Sequence, residues 1–338
     1  MKKILIIYSL AIALMTVSMG YSKTIDSSYE VGTWPGFRKA AITYTFDDGN
    51  SNQFAIALPM FDEFGFKMTL FTVTGWVKEN WPVLKDAAYN GHEVASHTIS
   101  HPSLNSINIE KQETELKQSQ EAIDANIPKS KCMTIAYPNC RPGDVTLCQK
   151  YYIAARHCQG QIEKSTPKDF MNISSIICGS MGSLRNIDNF KEKFEQTASS
   201  NGWCVLLFHG IDNDGGYSPI PSAELKATLE YLKENKDTYW VETFLNTVKY
   251  IRERDDVSVK ELYRRGNSIT IQVTDTLDNE IYNYPVTIRR QLPTGWLSAK
   301  ASQNNKAIDT KIVEVNSVKY IMLDAVPDGG DIVVSNAG

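Results

Sequence analysis

The sequence predicts an α/β barrel of parallel strands followed by a small all-β sandwich. From Ala40 to Arg254, short apolar runs alternate with segments of helical period, and this rhythm favours a parallel barrel over a sandwich. After Arg254 the pattern changes to short alternating strands, which are separated by clusters of Asn, Asp, Gly and Pro. The 338 residues leave room for about two such domains, each with its own core.

The first barrel strand is expected at 40–46, and a helix capped by Ser51 or Asn52 is expected to follow it and to end near Gly65. The remaining elements continue the alternation of strands and helices. The further strands are predicted at 67–73, 93–96, 132–137, 151–156, 203–208 and 239–243, and the further helices at 81–90, 109–126, 223–235 and 244–254.

The C-terminal part is expected to contain at least five short strands, and it extends for about 80 residues. These strands are predicted at 268–273, 286–290, 312–315, 318–323 and 332–334. The predicted organisation is therefore a signal peptide at 1–22, a barrel domain at 23–255 and a β-sandwich, Ig-like accessory domain at 256–338.

The first residues are typical of a cleavable signal peptide. Lys2 and Lys3 precede an apolar run from Ile4 to Met15, and small residues follow that run. A membrane anchor is the alternative, but the run is short for a span of about 20 residues. We therefore expect an exported protein that is periplasmic, attached to the cell surface or secreted.

The amino-acid composition limits the kinds of partner that are expected for the protein. The net charge of −4 and the pI near 5.8 show no basic excess, which disfavours a nucleic-acid partner, and no stable protein partner is implied. Six cysteines lie between Cys132 and Cys204, none of them in a C-x-x-C pair. In an exported protein an even number favours disulfides, whose pairing the sequence leaves open, with buried free thiols as the alternative.

Three short motifs carry the chemistry. Asp47 and Asp48 are adjacent at the end of the first strand, and the carboxyl ends of parallel strands are where such folds build active sites. His97 and His101 are four residues apart, so a helical turn would bring their rings together. With one carboxylate they would form a three-ligand metal site that leaves a position for water. His209 ends another apolar run.

In this order and spacing, the motifs make the chain resemble the polysaccharide deacetylases of carbohydrate esterase family 4, which have a NodB homology domain. The resemblance spans about Arg38 to Arg254. It implies an irregular (β/α) barrel of about seven strands. It also implies a metal-dependent hydrolase that removes N- or O-linked acetyl groups from a polysaccharide or oligosaccharide by metal-activated water.

The resemblance assigns roles to five residues. Asp48, His97 and His101 would hold a divalent metal ion, with Zn²⁺ expected and Co²⁺ or Ni²⁺ as alternatives. Asp47 would be the general base that deprotonates the water, and His209 would be the acid that protonates the leaving group.

The chain departs from the family in two motifs. Tyr137 and Pro138 match a shortened third motif, in which the backbone N–H of the tyrosine position would bind the oxyanion and the ring would line the pocket. The arginine that normally pairs with the base is missing, and either Arg141 or Arg156 could replace it. We favour Arg156 because it ends a predicted strand. The fourth motif, which orients the catalytic histidine, is not recognisable.

The loop after His209 is rich in Gly and Pro, and Tyr217 in this loop is placed to stack on a sugar ring. Trp76 could face a glycan in the same way. Two interpretations remain open at this point. One is an active deacetylase, acting on an N-acetyl or O-acetyl glycan that the sequence does not identify. The other is a catalytically weak or silent glycan-binding protein that retains the metal site.

Overall fold

The computed structural model describes residues 23–128 and 130–338. The predicted signal peptide at 1–22 lies outside the described residues. Among the helices of the described segments, none combines the length and the apolar character needed to cross a membrane.

The barrel strands alternate with helices along most of the chain, as predicted. After a first strand β1 (Tyr29–Val31), the barrel strands are β2 (Ala40–Asp47), β3 (Thr69–Thr72), β4 (Glu93–Ser96), β5 (Thr134–Ala136), β6 (Ala154–Arg156), β7 (Ile176–Ile177), β8 (Trp203–Phe208) and β9 (Tyr239–Val241). The helices are α1 (Leu58–Phe64), α2 (Trp81–Tyr89), α3 (Ile109–Asn126), α4 (Val145–Cys148), α5 (Ile187–Ser199), α6 (Ser222–Glu234) and α7 (Phe244–Asp256).

All the strand pairs of the barrel sheet are parallel. Seven strands run in the order β6-β5-β4-β3-β2-β8-β7, and β9 pairs with the first residues of β2. A parallel bridge between Arg156 and Ile173 joins β6 to the segment that leads into β7, so the sheet curls back on itself. The predicted parallel barrel of about seven strands is confirmed.

The sequence of β2 explains how it sits in the barrel. All eight of its residues are buried, and successive side chains point to opposite faces. Tyr44 and Phe46 pack outward, where Phe46 stacks on Phe208 of β8 at a ring distance of 5.0 Å. Ala41 and Asp47 have the opposite parity. Asp47 therefore points into the barrel at its carboxyl-terminal mouth.

Two helices lie outside the predicted set. Helix α4 is a single turn, and α5 spans a segment for which we predict no element, although it has a clear apolar face. Asn186 caps α5 by accepting a hydrogen bond from Asn189 N–H, and Phe190 and Phe194 are fully buried on one side of the helix. This face packs against the outer surface of the barrel.

The C-terminal strands form two antiparallel sheets that share one core. The strands are β10 (Ser258–Arg265), β11 (Ser268–Thr274), β12 (Val286–Gln291), β13 (Ala299–Gln303), β14 (Lys306–Ile308), β15 (Thr310–Val315), β16 (Val318–Ala325) and β17 (Ile332–Asn336). One sheet has the order β10-β11-β17-β13-β14 and the other β1-β12-β16-β15. The predicted all-β sandwich is confirmed.

Strand β1 pairs with β12 and so belongs to the sandwich, although it precedes the barrel in the chain. Tyr29 is buried in this sheet, and Tyr250 of α7 donates a hydrogen bond to Gly32 O at 2.7 Å just after β1. The domain boundary drawn from sequence assigns residues 23–37 to the barrel half. Their apolar side chains instead fill the junction between the two halves.

Candidate active site

A cavity of about 410 Å³ opens at the carboxyl ends of the barrel strands. Its lining includes the aspartates after β2, the histidine pair of residues 97–101, His209 after β8, and residues of the neighbouring segments. The lining residues are Asp47, Asp48, His97, His101, Tyr137, Asn139, Cys140, Arg156, Ile177, Leu207, His209 and Tyr217.

The first motif turns sharply after β2. Asp48 has φ +76° and Gly49 has φ +79°, both in the left-handed region, and Asp48 N–H donates to Phe71 O at 3.2 Å. A non-glycine residue with positive φ is uncommon and often marks a functional turn. Because of this turn, the carboxyl groups of Asp47 and Asp48 both face the cavity, although neighbouring residues of a strand would point apart.

The two histidines of the second motif converge, but not through a helical turn. Residues 97–101 form an irregular turn in which Thr98 (φ +67°) and His101 (φ +61°) are left-handed. The expected helical turn is therefore wrong. The rings of His97 and His101 nevertheless meet edge to face, with their centroids 4.7 Å apart.

The donor atoms of Asp48, His97 and His101 fit a metal ion. Oδ1 of Asp48 lies 3.7 Å from Nε2 of His97 and 3.6 Å from Nε2 of His101, and the ligand atoms are all within 4.8 Å of one another. Two ligands of a tetrahedral Zn²⁺ ion, bound at about 2.0 to 2.1 Å, lie roughly 3.3 Å apart. Oδ1 of Asp48 is also buried without a hydrogen-bond partner among the described residues, as expected of an atom that binds an ion.

The tautomer of His97 suits a ligand. Its Nδ1 lies 2.8 Å from Ala136 O, which can only accept, so Nδ1 carries the hydrogen and Nε2 keeps its lone pair toward the cavity. Burial lowers the pKa of His97 to about 4, against the opposing effect of the Asp47 and Asp48 carboxylates. The ring is therefore neutral at pH 7, as metal binding requires.

Asp47 is 2% exposed and lies beside the ligand cluster. Its Oδ2 is 2.5 Å from Nη2 of Arg156, 3.5 Å from Nε2 of His97 and 3.9 Å from Nε2 of His209. Burial alone would raise the pKa of Asp47, but the charge of Arg156, with those of His97 and His209, lowers it below its ordinary value of 3.8. Oδ1 makes no hydrogen bond within the described chain and can accept one from water.

Of the two arginines considered for the missing cation, Arg156 lies in the site. It ends β6, is 2% exposed, and donates to Ser175 Oγ through Nη1 as well as to Asp47 through Nη2. Arg141 is exposed at the surface. Strand β6 brings the guanidinium to the mouth because its last residue lies at the same end of the sheet as Asp47.

His209 follows β8 on the other side of Asp47. Burial lowers the pKa of its imidazole, while the Asp47 and Asp48 carboxylates oppose that shift. Its Nδ1 is buried and has no hydrogen-bond partner in the part of the chain that the structure describes. No described side chain therefore orients the His209 ring through Nδ1, in keeping with a fourth motif that is not recognisable in the sequence. Tyr217, which is 51% exposed, contacts the His209 ring edge to face at 5.0 Å.

The third family motif, Tyr137 and Pro138, has a different backbone arrangement from the one expected. Tyr137 N–H donates to Arg156 O at 3.1 Å as part of the sheet, so this N–H is not available for an oxyanion. The Tyr137 ring does line the cavity, with its hydroxyl donating to Met171 O at 3.0 Å, and Pro138 is buried beneath the turn that follows. Asn139, two residues later, has φ +53°, lines the cavity, and has an N–H without a partner among the described residues.

Two residues that support the site have no motif to reveal them. Gln53, fully buried, donates through Nε2 to the carbonyls of Asp47 at 2.6 Å and His209 at 2.9 Å, which ties the ends of β2 and β8 together. Glu115 of α3 accepts hydrogen bonds from Ile99 N–H at 2.7 Å and Ser100 N–H at 3.0 Å. A hydrophobic pattern identifies helices, but not which polar side chain of a helix reaches a distant loop.

Glu115→Ala is expected to weaken metal binding without unfolding the protein, because it removes the acceptor that fixes the 97–101 turn. Loss of such a supporting hydrogen bond costs roughly 10- to 100-fold in metal affinity. Competition with a chromogenic chelator measures the change. Glu121→Ala is the matched control on the same helix, since Glu121 only pairs with Lys117 at the surface. Equal affinities of the two variants would contradict the role of Glu115.

An aromatic side chain stands beside the ligand cluster on a rigid support. Trp76 is 49% exposed, and its ring lies 5.5 Å from that of His101. The loop that carries it is joined to the histidine turn by Thr74 N–H donating to Thr98 O and Gly75 N–H donating to Ile99 O. Trp76 next to His101 and Tyr217 next to His209 therefore present two exposed rings beside the site.

A curled parallel barrel with its polar site at the carboxyl-terminal mouth is the architecture of the NodB-type (β/α) barrels. Residues 36–151 match the family model of polysaccharide deacetylases, so this segment of the chain carries the sequence pattern of that family. The family resemblance stated from the motifs is confirmed.

Two curated relatives show how far the similarity extends. A gellan lyase from a Bacillus species is 25% identical over 329 residues, which are 90% of this chain and 13% of that protein. A chitooligosaccharide deacetylase from Rhizobium leguminosarum bv. trifolii is 36% identical over 89 residues, which are 26% of this chain and 41% of that protein. The chain thus spans less than half the length of either relative.

Among solved structures, the chain is similar to a protein from Mycobacterium smegmatis described as a candidate polysaccharide deacetylase. The TM-score is 0.52 with 16% identity, covering 72% of this chain and all of that one. At this identity, the likeness is evidence for the fold alone.

Proposed function

We propose that the protein is a metal-dependent hydrolase that removes acetyl groups from a polysaccharide or oligosaccharide. The observation that carries the proposal is the convergence of Asp48, His97 and His101 around one point, with the buried pair of Asp47 and Arg156 beside it. A protein that only bound glycan would gain nothing from a buried, ionised aspartate next to a ligand cluster.

Asp48, His97 and His101 would hold the divalent ion, for which Zn²⁺ suits the two imidazoles and one carboxylate. A bound ion of this kind acidifies water and polarises an acetyl carbonyl. Asp47 is kept ionised by Arg156 and accepts the proton of the attacking water through its free Oδ1. Arg156 holds the carboxylate in place through its short Nη2 contact and is not itself a proton carrier.

His209 supplies the proton for the leaving oxygen or nitrogen from the other side of Asp47. Its lowered pKa makes the protonated ring a stronger acid, and the nearby carboxylates favour that protonated form. The N–H of Asn139 is the backbone donor available to the oxyanion of the tetrahedral intermediate, in place of the Tyr137 N–H.

The exposed rings of Trp76 and Tyr217 suit a sugar chain that crosses the site, because aromatic faces are common platforms for pyranose rings. The substrate class is accordingly an acetylated glycan. Chitooligosaccharides and gellan belong in a substrate panel because relatives are named for them, and acetylated xylan and peptidoglycan separate O-acetyl from N-acetyl chemistry. Ester substrates should depend less on His209, since an alkoxide is a better leaving group than an amide nitrogen.

Metal removal is the test of the proposed function. The purified protein is expected to release acetate from at least one glycan of this panel. Dialysis against a chelator should reduce that rate to background, and a stoichiometric amount of Zn²⁺ should restore it. Acetate is measured by a coupled enzymatic assay, and the chelated protein is checked for native circular dichroism.

A silent glycan-binding protein gives a different result. It would bind one of these glycans in affinity electrophoresis and bind Zn²⁺ at Asp48, His97 and His101, yet release no acetate from any of them. That outcome would refute the proposed hydrolysis, while leaving the metal site and the carbohydrate class intact.

We also propose that the protein is exported. The basic and apolar composition of residues 1–22 supports this, as does a disulfide between Cys140 and Cys158, because such bonds persist in oxidising compartments. Cell fractionation with mass spectrometry of the mature protein should find a chain that begins near residue 21 outside the cytoplasm. A cytoplasmic protein that retains the apolar run would contradict the proposal.

A further inference from the structure

A disulfide lies in the wall of the active-site cavity. It joins Cys140, which lines the cavity directly after Asn139, to Cys158, two residues after Arg156. The two cysteines are 18 residues apart in sequence, and their Cα atoms are 5.8 Å apart. The bond therefore connects the turn after β5 with the end of β6, the neighbouring strand that delivers Arg156.

The turn that carries Asn139 has few other restraints. Asn139 (φ +53°) and Cys140 (φ +55°) are both in the left-handed region, which is unfavourable for residues with a Cβ atom. Asn139 is exposed, and its side chain makes one hydrogen bond, from Nδ2 to Ser103 Oγ at 3.2 Å. Beyond the turn's own backbone bonds, the disulfide is the strongest restraint that holds this pair of residues in place.

The position of the turn decides where one hydrogen-bond donor points. The N–H of Asn139 has no partner in the described segments, and under the proposed function it is the donor for the oxyanion. A donor of this kind is effective only within a few tenths of an ångström of its optimum. The metal ligands lie elsewhere, on the turn after β2 and on the 97–101 turn, and the disulfide touches neither.

We propose that the Cys140–Cys158 disulfide is a positioning element of the active site, which fixes the Asn139 N–H for the transition state, so that full activity requires the oxidised pair. The inference rests on the proposed function. Cys140 and Cys158 act through Asn139 and are not catalytic residues themselves.

The remaining cysteines allow a selective test. Cys140 and Cys158 are only half-buried, whereas Cys132, Cys148, Cys178 and Cys204 are fully buried free thiols. Burial raises the pKa of all four thiols, to about 12 for Cys148 and Cys204. These four are already thiols and offer a reductant no S–S bond, so it acts on the cavity disulfide alone, and their burial and raised pKa disfavour exchange with the reduced pair.

The reductant of choice is tris(2-carboxyethyl)phosphine. Its phosphorus attacks one sulfur and breaks the S–S bond, water then displaces the sulfur from phosphorus, and the products are the phosphine oxide and two thiols. The phosphine loses two electrons and the disulfide gains them. Free-thiol counting and peptide mass mapping follow the reaction.

The test compares acetate release by the oxidised protein, the reduced protein and the double variant Cys140→Gly, Cys158→Ala, in which glycine tolerates the positive φ. We expect kcat to fall roughly 10- to 100-fold on reduction and in the variant, the range for a displaced oxyanion donor. KM, Zn²⁺ content and circular dichroism should change little. The double variant also controls for removal of Zn²⁺ by the phosphine. It has no cavity disulfide to reduce, so the phosphine should not lower its activity further.

Three results would overturn the inference. The first is a reduced, folded, metal-loaded protein whose kcat stays within about twofold of the oxidised one. The second is a loss of activity that follows loss of Zn²⁺ or of native structure, since the disulfide would then act on the metal site or on the fold and not through Asn139. The third is the absence of acetate release from the oxidised protein, which refutes the proposed function itself and is thereby distinguishable from the other two.

Discussion

Asp47→Asn is expected to lower kcat for acetate release by about 10²- to 10⁴-fold, while Zn²⁺ still binds. The amide has nearly the shape of the carboxylate but cannot accept a proton from water, and loss of a general base has an effect of this size. The ligands Asp48, His97 and His101 are untouched, so the ion should remain. Initial rates of acetate release and metal content by atomic absorption provide the two measurements.

The control for this variant is Asp48→Asn, in which metal binding and activity should be lost together. Comparison of the two variants distinguishes the role of a general base, at Asp47, from that of a metal ligand, at Asp48. If Asp47→Asn retains full activity, Asp47 is not the base and the assigned mechanism is wrong.

Arg156→Met is expected to destabilise the protein by about 3 to 5 kcal/mol at neutral pH, the usual cost of leaving a buried charge without its partner. Asp47 and Arg156 are both 2% exposed and lie 2.5 Å apart, so removal of the guanidinium leaves a buried carboxylate without its cation. Chemical denaturation measures the loss. Arg141→Met, the other arginine considered from sequence, should change stability little, because Arg141 is exposed.

The same variant should change the pH dependence in a defined direction. In the native protein the pKa of Asp47 lies below its ordinary value of 3.8, so its pairing stabilises the fold above pH 3.8, and this contribution is lost as the pH falls through the lower native pKa. Without Arg156, burial dominates and the pKa rises. The stability difference between the two proteins should therefore grow above pH 3.8 and shrink in acid. The acidic limb of the activity profile should move to higher pH.

An unchanged acidic limb in the Arg156→Met protein, together with unchanged stability, would mean that the guanidinium does not govern the ionisation of Asp47. A protein that is destabilised but keeps the same pH profile would limit Arg156 to a structural role.

The sequence predicts the barrel well where a strand is buried along its whole length. The eight residues of β2 are apolar or small enough to be buried on both faces, so the strand and the position of Asp47 at its end follow from the pattern. Arg156 is predictable for a similar reason, because residues that end parallel strands share one edge of the sheet. Strand β1 is not predictable from the sequence, because its three residues form a strand only by pairing with β12, more than 250 residues later.

Turns set by positive φ are the part of the structure that the sequence predicts least well. The approach of His97 to His101 depends on left-handed Thr98 and His101, and a β-branched threonine gives no signal of that conformation. At the third family motif, the left-handed Asn139, rather than Tyr137, has an N–H without a partner among the described residues. The supporting roles of Gln53 and Glu115 depend on tertiary contacts and have no local pattern at all.

The most direct measurement of the central claim is anomalous diffraction at the zinc edge from crystals of the Zn²⁺-loaded protein. We expect one strong peak that places a Zn²⁺ ion within bonding distance of Asp48 Oδ1, His97 Nε2 and His101 Nε2. Asp47 should lie beside the ion and remain paired with Arg156. A peak bound elsewhere, or a loaded structure in which either imidazole turns away from Asp48, would contradict the account.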